Sequence, residues 1–292
     1  MAYGSRSRRR TRRSFTRRRP VARRVRRGPY RKRTTRTRRM TSRRVLNLSS
    51  TKKQDNMIPY NTTSTGGNGA VGPYGLPYTQ VGQFIWCATA RDRIGSGDPN
   101  ASSLRTSDVC YMRGLKEKIL ISTNTGLSWR WRRICFTVKN IVPPVGTPDS
   151  LEVSPNGWVR LIANQWATTY GIGMQGLVFR GASGLDWNDV FTAKTDNTRV
   201  SIMYDRTRII KSGNGNGTMI SPKLWHPMNK NLVYDNDESG DNETTSTKST
   251  GGKPGMGDYY VMDFIAAGPG GTSATSDGIT FSPEATLYWH EK

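Results

Sequence analysis

Residues 128–142 read Ser-Trp-Arg-Trp-Arg-Arg-Ile-Cys-Phe-Thr-Val-Lys-Asn-Ile-Val. Aromatic and β-branched side chains dominate this run, and such residues fit a pleated, half-buried surface. Neither Gly nor Pro interrupts it, so it is predicted to be one long strand. Alternation then places Trp129, Trp131 and Arg133 on one face and Arg130, Arg132 and Ile134 on the other. Rings beside guanidinium groups suit unpaired bases and phosphates. They equally suit cross-strand packing inside a sheet or at a subunit contact. Packing is the preferred reading, and Trp129, Arg130, Trp131, Arg132 and Arg133 form a secondary set of nucleic-acid candidates.

The same texture extends in both directions. Strand-length apolar runs occur at 81–90, 115–123, 158–163, 177–180, 199–211, 259–267 and 285–291. In 115–123, Leu115, Glu117, Ile119 and Ile121 alternate against Lys116, Lys118 and Leu120. Weaker strand candidates lie at 218–225, 230–235 and 278–282. One short helix is expected at Asp186–Lys194, with Asp186 as its N-cap. Gly, Pro, Asn and Asp punctuate the gaps, and no repeat of solenoid or propeller length is visible. Eight principal strands with almost no helix predict an all-β fold, an eight-stranded antiparallel jelly roll with large insertions. Capsids, lectins and cupins share that architecture, and the strand count does not separate them.

Charge is distributed unevenly. Residues 1–53 hold 23 of the 45 Lys and Arg and no carboxylate, the first acid being Asp55. The rest of the chain sets 22 basic against 21 acidic residues, a balance of +1. A block of like charges with few large apolar residues cannot offset chain entropy, so 1–53 is expected to be a disordered arm. Residues 54–78, rich in Gly, Pro and Thr, read as a linker, and 79–292 as the jelly-roll domain. On these boundaries, deleting 1–53 is expected to leave a folded domain. The natural partner of the arm is a polyanion, since each neutralised phosphate releases a condensed counterion. The primary nucleic-acid candidates are therefore Arg8, Arg9, Arg10, Arg12, Arg13, Arg17, Arg18, Arg19, Arg23, Arg24, Arg26, Arg27, Arg31, Lys32, Arg33, Arg36, Arg38, Arg39, Arg43 and Arg44. Tyr3, Phe15 and Tyr30 could stack on bases among them. The same clusters have the composition of a nuclear import signal, which implies an import receptor as a partner.

Other chemistry finds little support. No run of about 18 apolar residues suggests a membrane helix, and the basic N-terminus lacks the apolar core of a secretory signal. Cys87, Cys110 and Cys135, odd in number and far apart, read as free thiols of a reducing compartment. His226 and His290 are too few for a zinc or cupin metal site, and no nucleophile adjoins either in sequence. Gly171-Ile-Gly173-Met-Gln-Gly176 matches a dinucleotide pattern, with Asp196 further on. The pattern needs a helix N-terminus aimed at a pyrophosphate, whereas 177–180 reads as strand. Gly213–Gly217 reads as a flexible turn. The acidic stretch 235–243 misses EF-hand spacing and reads as a solvated loop rather than a cation site. No enzyme activity, metal or cofactor is expected.

Several stretches, in order along the chain, carry a family likeness. They are the arginine arm running into Lys52-Lys53-Gln54-Asp55, Arg113-Gly-Leu-Lys-Glu117, Trp129-Arg-Trp-Arg-Arg-Ile-Cys-Phe136, Lys194-Thr-Asp-Asn-Thr-Arg-Val200, His226-Pro-Met-Asn-Lys-Asn-Leu-Val-Tyr234 and Gly257-Asp-Tyr-Tyr-Val261. With these the sequence resembles the capsid proteins of genomoviruses, gemycircularvirus-like viruses with circular single-stranded DNA that are related to geminiviruses. The resemblance implies a jelly-roll subunit, a small icosahedral shell of about 60 copies, an inward-facing arm on the DNA, and a nuclear phase. A chromatin or ribosomal protein would share the arm, and the coat of a small RNA virus would share arm and body alike, because phosphate contacts do not distinguish DNA from RNA.

Overall fold

The computed structural model describes residues 40–93, 102–272 and 276–292, without the side chain of Arg43. The chain divides into the units Met1–Ser42 and Arg43–Lys292, and every sheet belongs to the second. The arm candidates Arg8 to Arg39 and the side chain of Arg43 lie outside the described residues. In chain order the elements are α1 (Ser42–Ser49), β1 (Thr51–Met57), β2 (Pro59–Thr62), β3 (Ala70–Val71), β4 (Tyr74–Pro77), β5 (Gly82–Cys87), β6 (Val109–Thr123) and β7 (Trp129–Val138). They continue with β8 (Glu152–Val153), β9 (Gly157–Trp158), β10 (Arg160–Ala163), α2 (Thr169–Val178), β11 (Ser201–Ile210), β12 (Met219–Ile220) and β13 (Lys223–Val233). β14 (Asp237–Ser239), β15 (Asn242–Thr244), β16 (Asp258–Ala267) and β17 (Gly278–Glu291) complete the chain.

Eight of these strands form the roll, paired as a folded-over ribbon. The first strand of the eight pairs the last, β1 with β17. The second pairs the seventh, β5 with β16, the third pairs the sixth, β6 with β13, and the fourth pairs the fifth, β7 with β11. Two further pairings, β17 with β6 and β16 with β7, join the ribbon into two open antiparallel sheets. Sheet one runs β1-β17-β6-β13 and sheet two β5-β16-β7-β11, which is the jelly-roll arrangement. β4 and β12 extend sheet one.

Between the sheets lie two apolar clusters. One is built around Trp86, Leu115, Val261, Leu287 and Trp289, the other around Phe84, Ile119, Trp131, Ile265 and Phe281. A charged layer separates them. Glu117, which follows Leu115 on the inward face of β6, and Arg133, which follows Trp131 on β7, meet Asp263 of β16 and Arg160 of β10. Arg133 grips Asp263 with two bonds, Nε to Oδ1 at 2.7 Å and Nη2 to Oδ2 at 2.8 Å, and it also binds Glu117. Trp131 Nε1 donates to Asp263 Oδ1 at 2.8 Å. Buried charges are tolerated only with such pairing, because desolvation of each ion costs several kcal/mol.

A third cluster covers the other face of sheet two. Ile85, Phe136, Tyr260, Met262 and Phe264 pack beneath Tyr170, Met174 and Val178 of α2 and beneath Phe179, Val190 and Phe191. The large insertion between β7 and β11 is therefore a lid on that sheet.

Several expectations are corrected. Residues 54–78 are strand-bearing, and β1 begins at Thr51, inside the predicted arm. Lys53 is buried, ion-paired to Glu291 at 3.0 Å and donating to Leu104 O at 2.7 Å. Deleting 1–53 would thus remove the first three residues of β1, Lys53 among them, and strand a buried carboxylate. Residues 42–49 are helical, a stretch free of the prolines that interrupt the arm upstream. Residues 177–180 end helix α2 rather than form a strand. Tyr170, Met174 and Val178 recur at helical spacing on its buried face, and Thr168 Oγ1 caps it by accepting from Gly171 N at 3.0 Å. The three glycines of the dinucleotide-like pattern lie within this helix. A Cβ at Gly171 would stand 1.9 Å from Gln165 O, so close backbone packing explains that glycine. Residues 186–194 form turns, and Asp186 accepts from Ala182 N rather than capping a helix. The segment 158–163 supplies β10, which pairs in parallel with β2 outside the roll. Finally, 218–225 and 230–235 both carry strand, as β12 at Met219–Ile220 and as the two ends of the single strand β13, which passes Pro227 through a bulge with Asn229 at φ 51.

Candidate nucleic-acid interface

Among the described residues, no insertion covers the outward positions of sheet one. Its outward positions follow from the alternation that buries its inward ones. On β6, Lys116, Lys118 and Leu120 are exposed while Leu115, Glu117, Ile119 and Ile121 are buried. Register then sets the neighbours, since directly paired residues share a face. Lys118 stands opposite Lys223 of β13, and Lys116 opposite Trp225. From the other side β17 places Glu284 beside Lys118 and Thr286 beside Lys116. β1 adds Lys52 opposite His290, Gln54 opposite Tyr288 and Asn56 opposite Thr286.

Two depressions mark this face. One of about 370 Å³ is bordered by Gln54, Asn56, Lys116, Lys118, Glu284 and Tyr288. The other, of about 200 Å³, is bordered by Lys52, Arg113, Trp225, Tyr288 and His290. Trp225 and Tyr288 lie 5.8 Å apart between ring centroids, and Tyr111 and His290 lie 6.0 Å apart. Arg113 reaches the face beside them and donates to Asn229 Oδ1 at 2.5 Å.

Electrostatics set this face apart from the rest of the body. Lys52, Arg113, Lys116, Lys118 and Lys223 share it with a single outward carboxylate on these strands, Glu284. Among the described residues, none of those five cations forms an ion pair, whereas Arg132, Arg133 and Arg160 all do. His290 reports the resulting field. Burial first, then the charges of Lys52 and Arg113, hold its imidazole below the usual range. A bare sheet face with unneutralised cations, aromatic rings and amide side chains can bind phosphates by charge and bases by stacking.

The secondary candidates go elsewhere. Trp129 and Trp131 are core residues, and Arg133 belongs to the charged layer. Arg130 and Arg132 point to the other face of sheet two, as alternation predicts, and fasten the lid. Arg130 binds Asp189 at 2.6 Å, and Arg132 binds Asp205 at 2.7 Å and Val190 O at 2.6 Å. Trp129, Trp131, Arg132 and Arg133 are thus buried, while Arg130 is paired but partly exposed. Among the arm candidates, Arg44 is described and exposed.

One juxtaposition escaped the sequence. His226 has Cys135 Sγ 3.9 Å from Nδ1, and Glu117 Oε2 3.4 Å from Nε2, close enough for an ion pair but without hydrogen-bond geometry. The order Cys-His-Glu resembles a nucleophile relay, yet all three side chains are buried between the sheets. The acidic stretch 235–243 carries the exposed hairpin β14–β15, with Glu243 bound to Arg93 at 2.6 Å. The three cysteines are free and buried, and burial pushes the Cys87 thiol up to about 11.

Comparison with known protein families finds no family model that matches the chain, and comparison with curated proteins finds no match.

Proposed function

We propose that this chain is the structural subunit of a small shell that packages single-stranded DNA, gathered by the arginine-rich arm and lined by the basic face of sheet one. The observation that carries the reading is an asymmetry. Sheet two is covered by its insertion, while among the described residues sheet one is bare and cationic. The arm is continuous in sequence with β1, a strand of that same sheet. In this reading arm and face act on the same substrate. The arm's like-charged composition suits condensation of a polyanion without base readout, and an all-β roll is a fold that closed shells use. The likeness to genomovirus capsid proteins supports the same reading, and with it a virion location, passage through the nucleus and an import receptor as partner. The chain acts by binding and assembly, not by catalysis.

The test is expression of the full chain followed by density-gradient separation and electron microscopy. Uniform particles whose nucleic acid resists external nuclease, and after disruption yields to single-strand-specific DNase, are the expected result. Particles holding only RNA would move the chain to the RNA-coat reading. A soluble monomer that never assembles would refute the shell.

A further inference from the structure

Trp225 occupies an unusual position for a large apolar ring. It is half exposed on the cationic face, opposite Lys116, between partly buried Leu224 and buried His226. Its indole rests across the adjacent strand at Gly114. A Cβ there would stand 2.6 Å from His226 O and 2.7 and 2.9 Å from Cζ2 and Cη2 of the ring, so glycine is what lets both the backbone and the indole come this close. Tyr288 pairs with Gly114 from the other side, and the two rings meet over that glycine at an interplanar angle of 59°. The indole is thereby held against the sheet. Around this pair stand Lys52, Arg113 and Lys116, none ion-paired among the described residues, and His290.

We infer that Trp225, braced by Gly114 and Tyr288, is a stacking platform for an unpaired nucleobase, with Arg113, Lys116 and Lys52 holding the flanking phosphates. The inference rests on the reading that the chain binds nucleic acid and adds to it what the wall recognises. A duplex offers its phosphates to the lysines but keeps its base faces stacked on one another, so the platform favours a single strand. Stacking is also less sensitive to salt than phosphate contact, so the platform contributes most where the arm is screened.

The test uses the full-length chain at raised salt, with three ligands of equal length: oligothymidylate, an abasic oligomer with the same phosphates, and a duplex. The unaltered chain should prefer oligothymidylate. Trp225→Leu should weaken that binding by about tenfold, the order expected for one lost base–aromatic stack, and leave the abasic oligomer unchanged. Trp225→Phe should keep most of the affinity. A second readout needs no substitution. A photoreactive thymidine analogue should crosslink to the tryptic peptide Leu224–Lys230. Equal loss on both single strands with Trp225→Leu, or crosslinks confined to arm peptides, would overturn the platform while leaving nucleic-acid binding intact. Failure of the unaltered chain to bind any oligomer would overturn the proposed function as well.

Discussion

Lys118 of β6 and Lys223 of β13 stand directly opposite one another on the exposed face of sheet one. Like charges in that relationship destabilise a sheet. Neither lysine forms an ion pair among the described residues, although Glu284 pairs with Lys118 in register on the other flank. The arrangement gives up stability in exchange for positive potential, which is the pattern of a binding surface rather than a packing surface.

That trade gives opposite signs in two assays. Lys223→Gln should raise the unfolding free energy by roughly 0.2–1 kcal/mol, the range for relieving one cross-strand repulsion. It should also weaken single-stranded DNA binding and reduce the log–log salt slope by about one. Denaturant melts and a salt titration of affinity measure the two effects. A variant that is both less stable and unchanged in binding would show that Lys223 is a packing residue.

Arg133 should behave in the contrary way. It is buried against Asp263 and Glu117, so Arg133→Met leaves two carboxylates short of a partner and should cost about 3–5 kcal/mol of stability. Its folded fraction should bind DNA as the unaltered chain does. Loss of affinity without loss of stability would return Arg133 to the list of nucleic-acid contacts.

The boundary of the folded body is sharp enough to test. Removal of residues 1–39 leaves β1 whole, and circular dichroism should keep its β signal and a cooperative melt. Removal of residues 1–53 takes away Lys53, the ion-pair partner of buried Glu291, and should lower the melting temperature strongly or abolish folding. Equal melting of the two truncations would contradict the place given to β1.

His226 sets a pH dependence. Burial alone would lower its pKa, but Cys135 on β7 and Glu117 on β6 face its two ring nitrogens and hold it at about 9 against the usual 6.5. Tyr204 of β11 and Tyr259 of β16 close around the ring. Because the folded pKa is the higher one, the stabilisation is complete below pH 6.5 and is lost as pH rises through about 9. Chemical denaturation across that window should show the decline, and His226→Gln should flatten it. A wild-type profile that is flat or rising there would mean that the imidazole is neutral in the fold.

The fold was legible in the sequence wherever a strand alternates or is apolar throughout. β5, β6, β7, β11, β16 and the end of β17 all show this, and Leu115 to Ile121 even displays its lysines on one side. β1 was hidden because Thr51–Met57 is polar at nearly every position. Its buried Lys53 makes sense only beside Glu291, at the far end of the chain. α2 was hidden by three glycines, and tertiary packing of Tyr170, Met174 and Val178 outweighs their poor helix propensity. The cationic face was half visible in the same way. Lys116 and Lys118 alternate in plain sight, but Lys223, Trp225, Tyr288 and Lys52 come from strands distant in sequence and meet them only through register. Conversely, the Trp129–Arg133 stretch left both packing and nucleic-acid contact open, with packing preferred, because arginine is seldom buried without a partner. Its carboxylate partners, Asp263 and Asp205, lie far away in the chain.

The most direct test of the account compares the nucleic acid protected inside particles of the unaltered chain with that in particles of the Lys116→Gln, Lys118→Gln, Lys223→Gln variant, with the arm left intact in both. The account predicts assembled particles in each case, with less nuclease-resistant single-stranded DNA per particle in the variant. An unchanged amount of protected DNA would show that the arm alone condenses the genome and that the basic face of sheet one has another purpose. Particles that carry no nucleic acid in either case would contradict the packaging function itself.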